Sequence, residues 1–94
     1  MAKRTKPEDS AWSDYAGELA TNLRRLRLEA GLSQEDVAYR SGLTRYTYQK
    51  YEKGESKPGT PANPTIRTLL AMSQALGVSL MDILPAKIPD LRLR

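Results

Sequence analysis

The chain contains no cysteine and no histidine. Without cysteine it can form no disulfide, thiol nucleophile or thiolate zinc ligand, and it fits a reducing, cytoplasmic location. Without histidine it has no serine–histidine pair and no imidazole acid–base catalyst. It also lacks an apolar run that could cross a membrane or act as a secretory signal. We therefore expect neither an enzyme nor a cofactor or metal site, and no membrane partner.

What the chain has instead is a moderate excess of positive charge. Its 94 residues include 15 basic and 11 acidic side chains, which gives a net charge of +4. This length allows one domain with one small core. A basic balance favours an anionic partner such as nucleic acid, but the basic residues are spread along the chain. Folding must therefore assemble any basic face.

Apolar periodicity begins after a polar stretch at the start of the chain. Residues 1–12 predict a flexible N-terminal arm. From Trp12 to Ala30, apolar residues recur at steps of three and four. This spacing predicts a first helix, which Ser13 is expected to cap and Gly31 to end.

Capping residues predict four further helices. The second is expected to start at Ser33, which forms a capping-box pattern with Asp36, and to stop before Gly42. The third is expected between Thr44 and Gly54. The last two are marked by the caps and stops Thr65, Gly77, Ser79 and Pro85.

The predicted fold is all-α with five helices around one core, because no segment is rich in strand-forming residues and no repeat occurs. Residues 54–64 contain three prolines and two glycines and predict a loop. The helical domain is expected to span residues 13–85, followed by a C-terminal tail over residues 86–94. In the fourth helix we expect an apolar face formed by Ile66, Leu69, Leu70, Ser73 and Leu76.

The predicted third helix has two different sides at 3.6 residues per turn. One side carries Tyr48, Tyr51 and Glu52 and can pack with its tyrosine rings in the core. The other side carries only polar or amphipathic groups, namely Arg45, Tyr46, Gln49, Lys50 and Lys53. Arginine, lysine and glutamine are the side chains that read base edges in the major groove of DNA. The alternative is that this side is merely solvated.

A short helix, a glycine turn and a second short helix follow the plan of a helix-turn-helix. The segment LRRLRLEAGLSQEDVAYRSGLTRYTYQKYEKG resembles the Cro-type, phage-repressor-like (XRE) helix-turn-helix family. The segment PTIRTLLAMSQALGVSLMDIL resembles that family's fourth and fifth helices, so the resemblance covers residues 17–85. It implies a lambda-repressor-like fold and a sequence-specific transcriptional regulator whose partner is double-stranded DNA.

The resemblance also implies roles for individual residues. It assigns base reading to Arg45, Tyr46, Gln49 and Lys50. Gln34 and Thr44 match positions that contact phosphate, and Gln34 also braces the reading helix. Lys53 and Lys57, just beyond that helix, would meet backbone phosphates. For Gln34 and the two lysines, the alternative is an ordinary solvated side chain.

Arg27 and Glu52 match a pair that forms an internal salt bridge in this family. Both residues flank packed helix faces, where partial burial of a charge demands a partner. The chain departs from the family at Tyr48 and Tyr51, where aliphatic residues are usual, so the core is either looser or gains hydrogen bonds. It also departs at Leu28, which is either a stray exposed leucine or part of a contact patch.

The resemblance further implies a dimeric repressor or autoregulator on an inverted repeat, with half-sites about 34 Å apart. The expected interface is C-terminal and consists of Val78, Leu80, Met81, Ile83, Leu84, Ile88, Leu91 and Leu93. The tail either pairs as a strand across the dyad or frays. The loop over residues 54–64 is either inert, or reaches the DNA backbone through Lys57, or extends a dimer contact. An alternative function is an antitoxin or interaction module that captures a partner protein through Leu28 and the tail.

Overall fold

The computed structural model describes the backbone of residues 7–92 and the side chains of residues 10–92. Within that range the chain forms five α-helices and one two-stranded antiparallel sheet. The elements in chain order are α1 (Pro7–Glu29), α2 (Gln34–Arg40), α3 (Arg45–Lys53), β1 (Glu55–Lys57), β2 (Thr60–Pro61), α4 (Ile66–Leu76) and α5 (Leu80–Ile83). The prediction of an all-α fold with five helices is confirmed, with a small hairpin added between α3 and α4.

The turn between α2 and α3 forms as the capping residues predict. At α2 the Ser33 hydroxyl accepts from the Asp36 N–H at 3.0 Å, and the Asp36 carboxylate accepts from the Ser33 N–H at 2.9 Å. Gly42 then takes a φ of 72°, a conformation that favours glycine, and turns the chain toward α3. The Thr44 hydroxyl accepts from the Thr47 N–H at 3.1 Å and caps α3.

The start of α1 differs from the prediction. The helix begins at Pro7 and already includes the expected cap Ser13, so residues 7–12 are helical and the prediction of a flexible arm is wrong for them. Proline suits the first helical position, because its fixed φ is already helical and its missing N–H needs no partner there. The rest of the predicted arm, residues 1–6, lies outside the described residues, as do residues 93–94 of the tail.

Each of the five helices contributes one completely enclosed side chain to a single core. These side chains are Leu23, Val37, Tyr48, Met72 and Ile83. α4 buries Leu69, Ser73 and Leu76 of its predicted apolar face together with Met72, but the prediction is wrong for Ile66 and Leu70, which are 63% and 42% exposed. Apolar residues occupy much of the circumference of α4, so its inward side is decided by contacts with α2 and α5 rather than by periodicity.

A hairpin replaces the loop predicted over residues 54–64. β1 pairs with β2, and Gly59 turns the chain between them with a φ of 80°. The Ala62 N–H donates to the Gly54 carbonyl at 2.9 Å, which holds the hairpin against the end of α3. Gly54 is itself buried with a φ of 83°, and a Cβ there would lie 3.4 Å from the Ala16 carbonyl oxygen. The end of α3 therefore meets the backbone of α1 directly.

Candidate nucleic-acid interface

α3 has the two different sides that its sequence predicts. Tyr48 is completely enclosed in the core, and Tyr51 is half-buried. The opposite side carries the five polar or amphipathic residues predicted there, four of them assigned to base reading, and we call this side the reading face. Of these, Arg45, Tyr46 and Lys53 are exposed, and Gln49 and Lys50 are half-buried. The Lys50 ammonium lies 4.4 Å from the centre of the Tyr46 ring, so the two form a cation–π pair at the surface.

The single acidic residue of α3 is engaged inside the protein. Glu52 accepts from Nε and Nη2 of Arg27 at 2.6 and 3.2 Å, which makes a two-point ion pair between α1 and α3. Only 5% of the Glu52 side chain and 12% of the Arg27 side chain are exposed. The predicted salt bridge is confirmed. Because its charges cancel inside the protein, the exposed side of α3 presents its basic groups without a carboxylate from the same helix.

Glu52 is also the centre of a hydrogen-bond network. The Tyr48 hydroxyl donates to Glu52 Oε2, and Gln34 Nε2 donates to Glu52 Oε1 at 3.1 Å. Gln34 Oε1 in turn accepts from Gln49 Nε2 at 3.0 Å. Of the two alternatives at position 48, the structure supports the gain of a hydrogen bond. Gln34, expected at a phosphate, lies between Gln49 and the buried carboxylate.

The network fixes the charge state of its members. Burial alone would raise the pKa of the Glu52 carboxyl, but hydrogen bonds from Arg27, Tyr48 and Gln34 outweigh burial and hold that pKa below its usual value. The pKa of the Tyr48 hydroxyl is raised, chiefly by burial and then by its hydrogen bond to Glu52. At neutral pH the network therefore contains one carboxylate, one guanidinium and a neutral phenol.

The lowered pKa of Glu52 predicts that acid destabilises the fold. Since the folded pKa lies below the unfolded value of about 4.3, the contribution of Glu52 is complete above about pH 5 and is lost as the pH falls through the folded pKa. We expect the urea concentration at the unfolding midpoint to decrease as the pH is lowered through this range. The decrease should be less steep in Glu52→Gln. Circular dichroism at a series of pH values measures both. Equally steep curves would assign the acid sensitivity to other carboxylates, such as Asp36, whose pKa is lowered by hydrogen bonds from Ser33.

The two remaining predicted site residues lie just before and just after α3 in the chain. Thr44 is exposed at the start of the helix, and Lys57 is exposed at the end of β1. The hairpin adjoins the reading face through a shared cleft of about 220 Å³. This cleft is lined by Tyr46, Gln49, Lys50, Lys53, Glu55, Ser56, Lys57 and Pro58. The structure thus brings Lys57 beside the face that the sequence predicts.

A second cleft adds a basic residue that the sequence reasoning missed. It has a volume of about 390 Å³ and lies between α1, the start of α2 and α3. Its lining includes Arg24 together with Gln34, Gln49 and Lys53. Arg24 is exposed. Its spacing of three residues from Arg27 places both on one side of α1, and this spacing was the signal that could have identified it.

The arrangement of α2, α3 and the core matches a known family over most of the chain. A family model described as helix-turn-helix matches residues 23–83, from the last part of α1 to the end of α5. The chain belongs to the Cro-type helix-turn-helix family. α2 and α3 are the two helices of the helix-turn-helix, and the lambda-repressor-like fold expected from the resemblance is confirmed.

This Cro-type protein is similar to other regulators in sequence and structure. It is 40% identical over 65 residues to the uncharacterized HTH-type transcriptional regulator y4dJ of Sinorhizobium fredii, which covers 69% of this chain and 77% of that protein. The restriction-modification controller protein C.AhdI from Aeromonas hydrophila is 29% identical, with a TM-score of 0.64 covering 72% of this chain and 94% of the other. The hypothetical transcription factor NHTF from Neisseria is 27% identical, with a TM-score of 0.64 covering 95% and 86%.

The Cro-type protein is a DNA-binding transcriptional regulator, as the family and these relatives show. The predicted family and regulatory role are therefore confirmed. In the part of the chain that the structure describes, each helix is too short or too polar to cross a membrane.

Proposed function

We propose that the protein is a dimeric repressor or autoregulator that reads an inverted-repeat operator through α3. The observation that carries the proposal is the charge of this helix. α3 contains Arg45, Lys50 and Lys53, and its single carboxylate, Glu52, is neutralised by Arg27 inside the protein. Long hydrogen-bonding side chains on an exposed helix face suit the major groove. We assign base contacts to Arg45, Tyr46, Gln49 and Lys50.

Phosphate contacts are proposed around this face, where they would fix the register of the helix on DNA. Thr44 lies at the start of α3, Lys53 at its end and Lys57 in the hairpin, and all three are exposed. Gln34 has a second N–H that its hydrogen bond to Glu52 does not use. We add the exposed Arg24, which shares a cleft with Gln34 and Lys53.

The proposed dimer follows from how few base pairs one helix reads. A two-fold dimer places two copies of α3 on half-sites about 34 Å apart, which doubles the number of base pairs that are read. Within the expected C-terminal interface Ile83 has no exposed surface, so the prediction is wrong for this residue. Val78, Leu80 and Leu84 pack partly on the core, whereas Met81 is 76% exposed and Ile88 is 72% exposed. We therefore centre the proposed interface on Met81 and Ile88.

In-vitro selection from a random pool of DNA duplexes at moderate salt tests the proposal. The expected result is an inverted repeat with half-sites about one helical turn apart. Failure of the folded protein to enrich any sequence would contradict the reading role of α3. Enrichment of a single half-site would retain that role and contradict the dimer.

Thr44 and Thr65 form a matched pair that separates DNA contact from helix capping. Each hydroxyl accepts from the N–H three residues later at 3.1 Å and donates to a threonine hydroxyl there. We expect Thr44→Ala and Thr65→Ala each to lower the free energy of unfolding by about 1 kcal/mol. Only Thr44→Ala should also weaken operator binding, measured by titration of folded protein. Equal affinities for the two variants would limit Thr44 to capping.

The alternative function, capture of a partner protein as by an antitoxin, is favoured by apolar side chains outside the reading face. Leu28 is 58% exposed, and the exposed Ile88 lines a groove of about 460 Å³ beside the first half of α1. A partner that co-purifies at a fixed ratio, and that Ile88→Lys releases, would establish this function. Salt-dependent binding to one selected DNA sequence supports the regulator instead.

A further inference from the structure

Two hydrogen bonds in series join Gln49 on the reading face to the buried carboxylate of Glu52. Gln34 Nε2 donates to Glu52 Oε1 at 3.1 Å, and Gln49 Nε2 donates to Gln34 Oε1 at 3.0 Å. We propose that this hydrogen-bond chain, from Gln49 through Gln34 to Glu52, fixes which end of the Gln49 amide faces the DNA. Gln34 is thereby a positioning residue for base selectivity. The proposal rests on the proposed base contact of Gln49.

The carboxylate determines the direction of the chain. An ionised carboxylate only accepts hydrogen bonds, so Gln34 must turn its NH2 group toward Glu52. The carbonyl oxygen of Gln34 then faces Gln49. Because this oxygen also only accepts, Gln49 must turn its own NH2 group inward. Reversing either amide would place two acceptors against each other.

The buried end of the chain is held in place. Arg27 donates to both oxygens of Glu52, at 2.6 and 3.2 Å, and the Tyr48 hydroxyl donates to Oε2. The Glu52 side chain is only 5% exposed, so solvent has little access to these contacts. The carboxylate therefore presents a fixed acceptor to Gln34.

The outward groups of Gln49 are then its carbonyl oxygen and its second N–H. This pair complements adenine, which presents its N6 amino donor and N7 acceptor in the major groove. Guanine presents two acceptors, O6 and N7, so its O6 would face the Gln49 carbonyl oxygen. At the base that Gln49 contacts, we expect adenine to be preferred over guanine by roughly tenfold or more.

The same logic makes Glu52→Gln reverse the chain. The new amide keeps its carbonyl oxygen on Arg27 Nε and the Tyr48 hydroxyl, the two donors to Oε2, and so places its NH2 group at the Oε1 position, where it loses the hydrogen bond from Arg27 Nη2 and donates to Gln34. Gln34 then accepts and turns its NH2 group toward Gln49, which accepts in turn and presents its own NH2 group outward. Two donors complement the two acceptors of guanine, so the preference should change from adenine to guanine.

Parallel in-vitro selections with variants that circular dichroism shows to be folded test this chain. Gln49→Ala identifies the base pair that Gln49 contacts. Glu52→Gln should convert that position to guanine, and Gln34→Met, which leaves the charge unchanged, should make adenine and guanine equally frequent there. Gln74→Met replaces an exposed glutamine of α4 and should retain the wild-type sequence preference. If Glu52→Gln does not remain folded, Gln34→Met decides.

The outcomes separate failure of this chain from failure of the proposed function. Lack of any enriched sequence with the wild-type protein would contradict the function. An enriched operator in which Gln49→Ala changes no position would remove Gln49 from the reading face and overturn the chain. If Gln34→Met retains adenine at the position that Gln49 contacts, the proposed role of the hydrogen-bond chain is contradicted, while the proposed function is not.

Discussion

Glu52→Ala is expected to lower the free energy of unfolding by about 3–5 kcal/mol. The carboxylate accepts hydrogen bonds from Arg27 in α1, Gln34 in α2 and Tyr48 in α3. Its removal leaves a guanidinium that is 12% exposed without its counter-charge, and an enclosed hydroxyl without its acceptor. Urea unfolding at neutral pH, followed by circular dichroism, measures the loss.

Glu29→Ala is the matched control for Glu52→Ala. Glu29 pairs with Arg25 at 3.5 Å on the surface of α1, where the two side chains are 62% and 51% exposed. Exposed pairs at this helical spacing contribute only about 0.3–0.5 kcal/mol, because solvent screens them. A similar loss in both variants would show that the buried network stabilises the fold no more than a surface pair does.

Arg45→Ala and Lys50→Ala are each expected to relax base choice at one operator position by about 1–3 kcal/mol. Arg45 is exposed at the first residue of α3. Lys50 lies on the same face, where the Tyr46 ring 4.4 Å from its ammonium restrains it. Truncating either side chain removes a donor that suits guanine. Competition titrations against operators altered at one base pair at a time measure the change.

Lys87→Ala is the matched control for these two variants. It removes the same charge from the C-terminal tail, where Lys87 lines the groove beside the first half of α1. It should therefore leave the base preference unchanged. Equal weakening for all altered operators would place Arg45 or Lys50 at a phosphate rather than a base. An unchanged affinity and preference would remove the residue from the interface.

The parts of the fold that the sequence predicts correctly depend on local chemistry. Ser33 with Asp36 and Thr44 with Thr47 are only three residues apart, so each cap is visible in a short stretch of sequence. The two sides of α3 were predictable for a related reason, because one side offers tyrosine rings and the other only long polar groups. The Arg27–Glu52 pair was identified from the family resemblance and from its place beside packed faces.

The features that the sequence does not predict are either too short to show a pattern or depend on how distant elements meet. Strands of three and two residues are too short to show an alternating pattern. The prolines and glycines of the hairpin therefore predicted only a loop. The contact of Gln34 with Gln49 requires the crossing of α2 and α3, which no local pattern specifies. The exposure of Ile66 and Leu70 likewise follows from the side on which α4 packs.

The backbone contact between Gly54 and α1 makes the stability of α3 depend on a helix that lies much earlier in the sequence. A helix of nine residues is marginal in water by itself, and α3 ends where its backbone meets Ala16 and Gly17. α3 therefore has little stability until α1 has docked. The two helices should therefore open as a single cooperative unit. In native-state hydrogen exchange, their central amides should share one opening free energy.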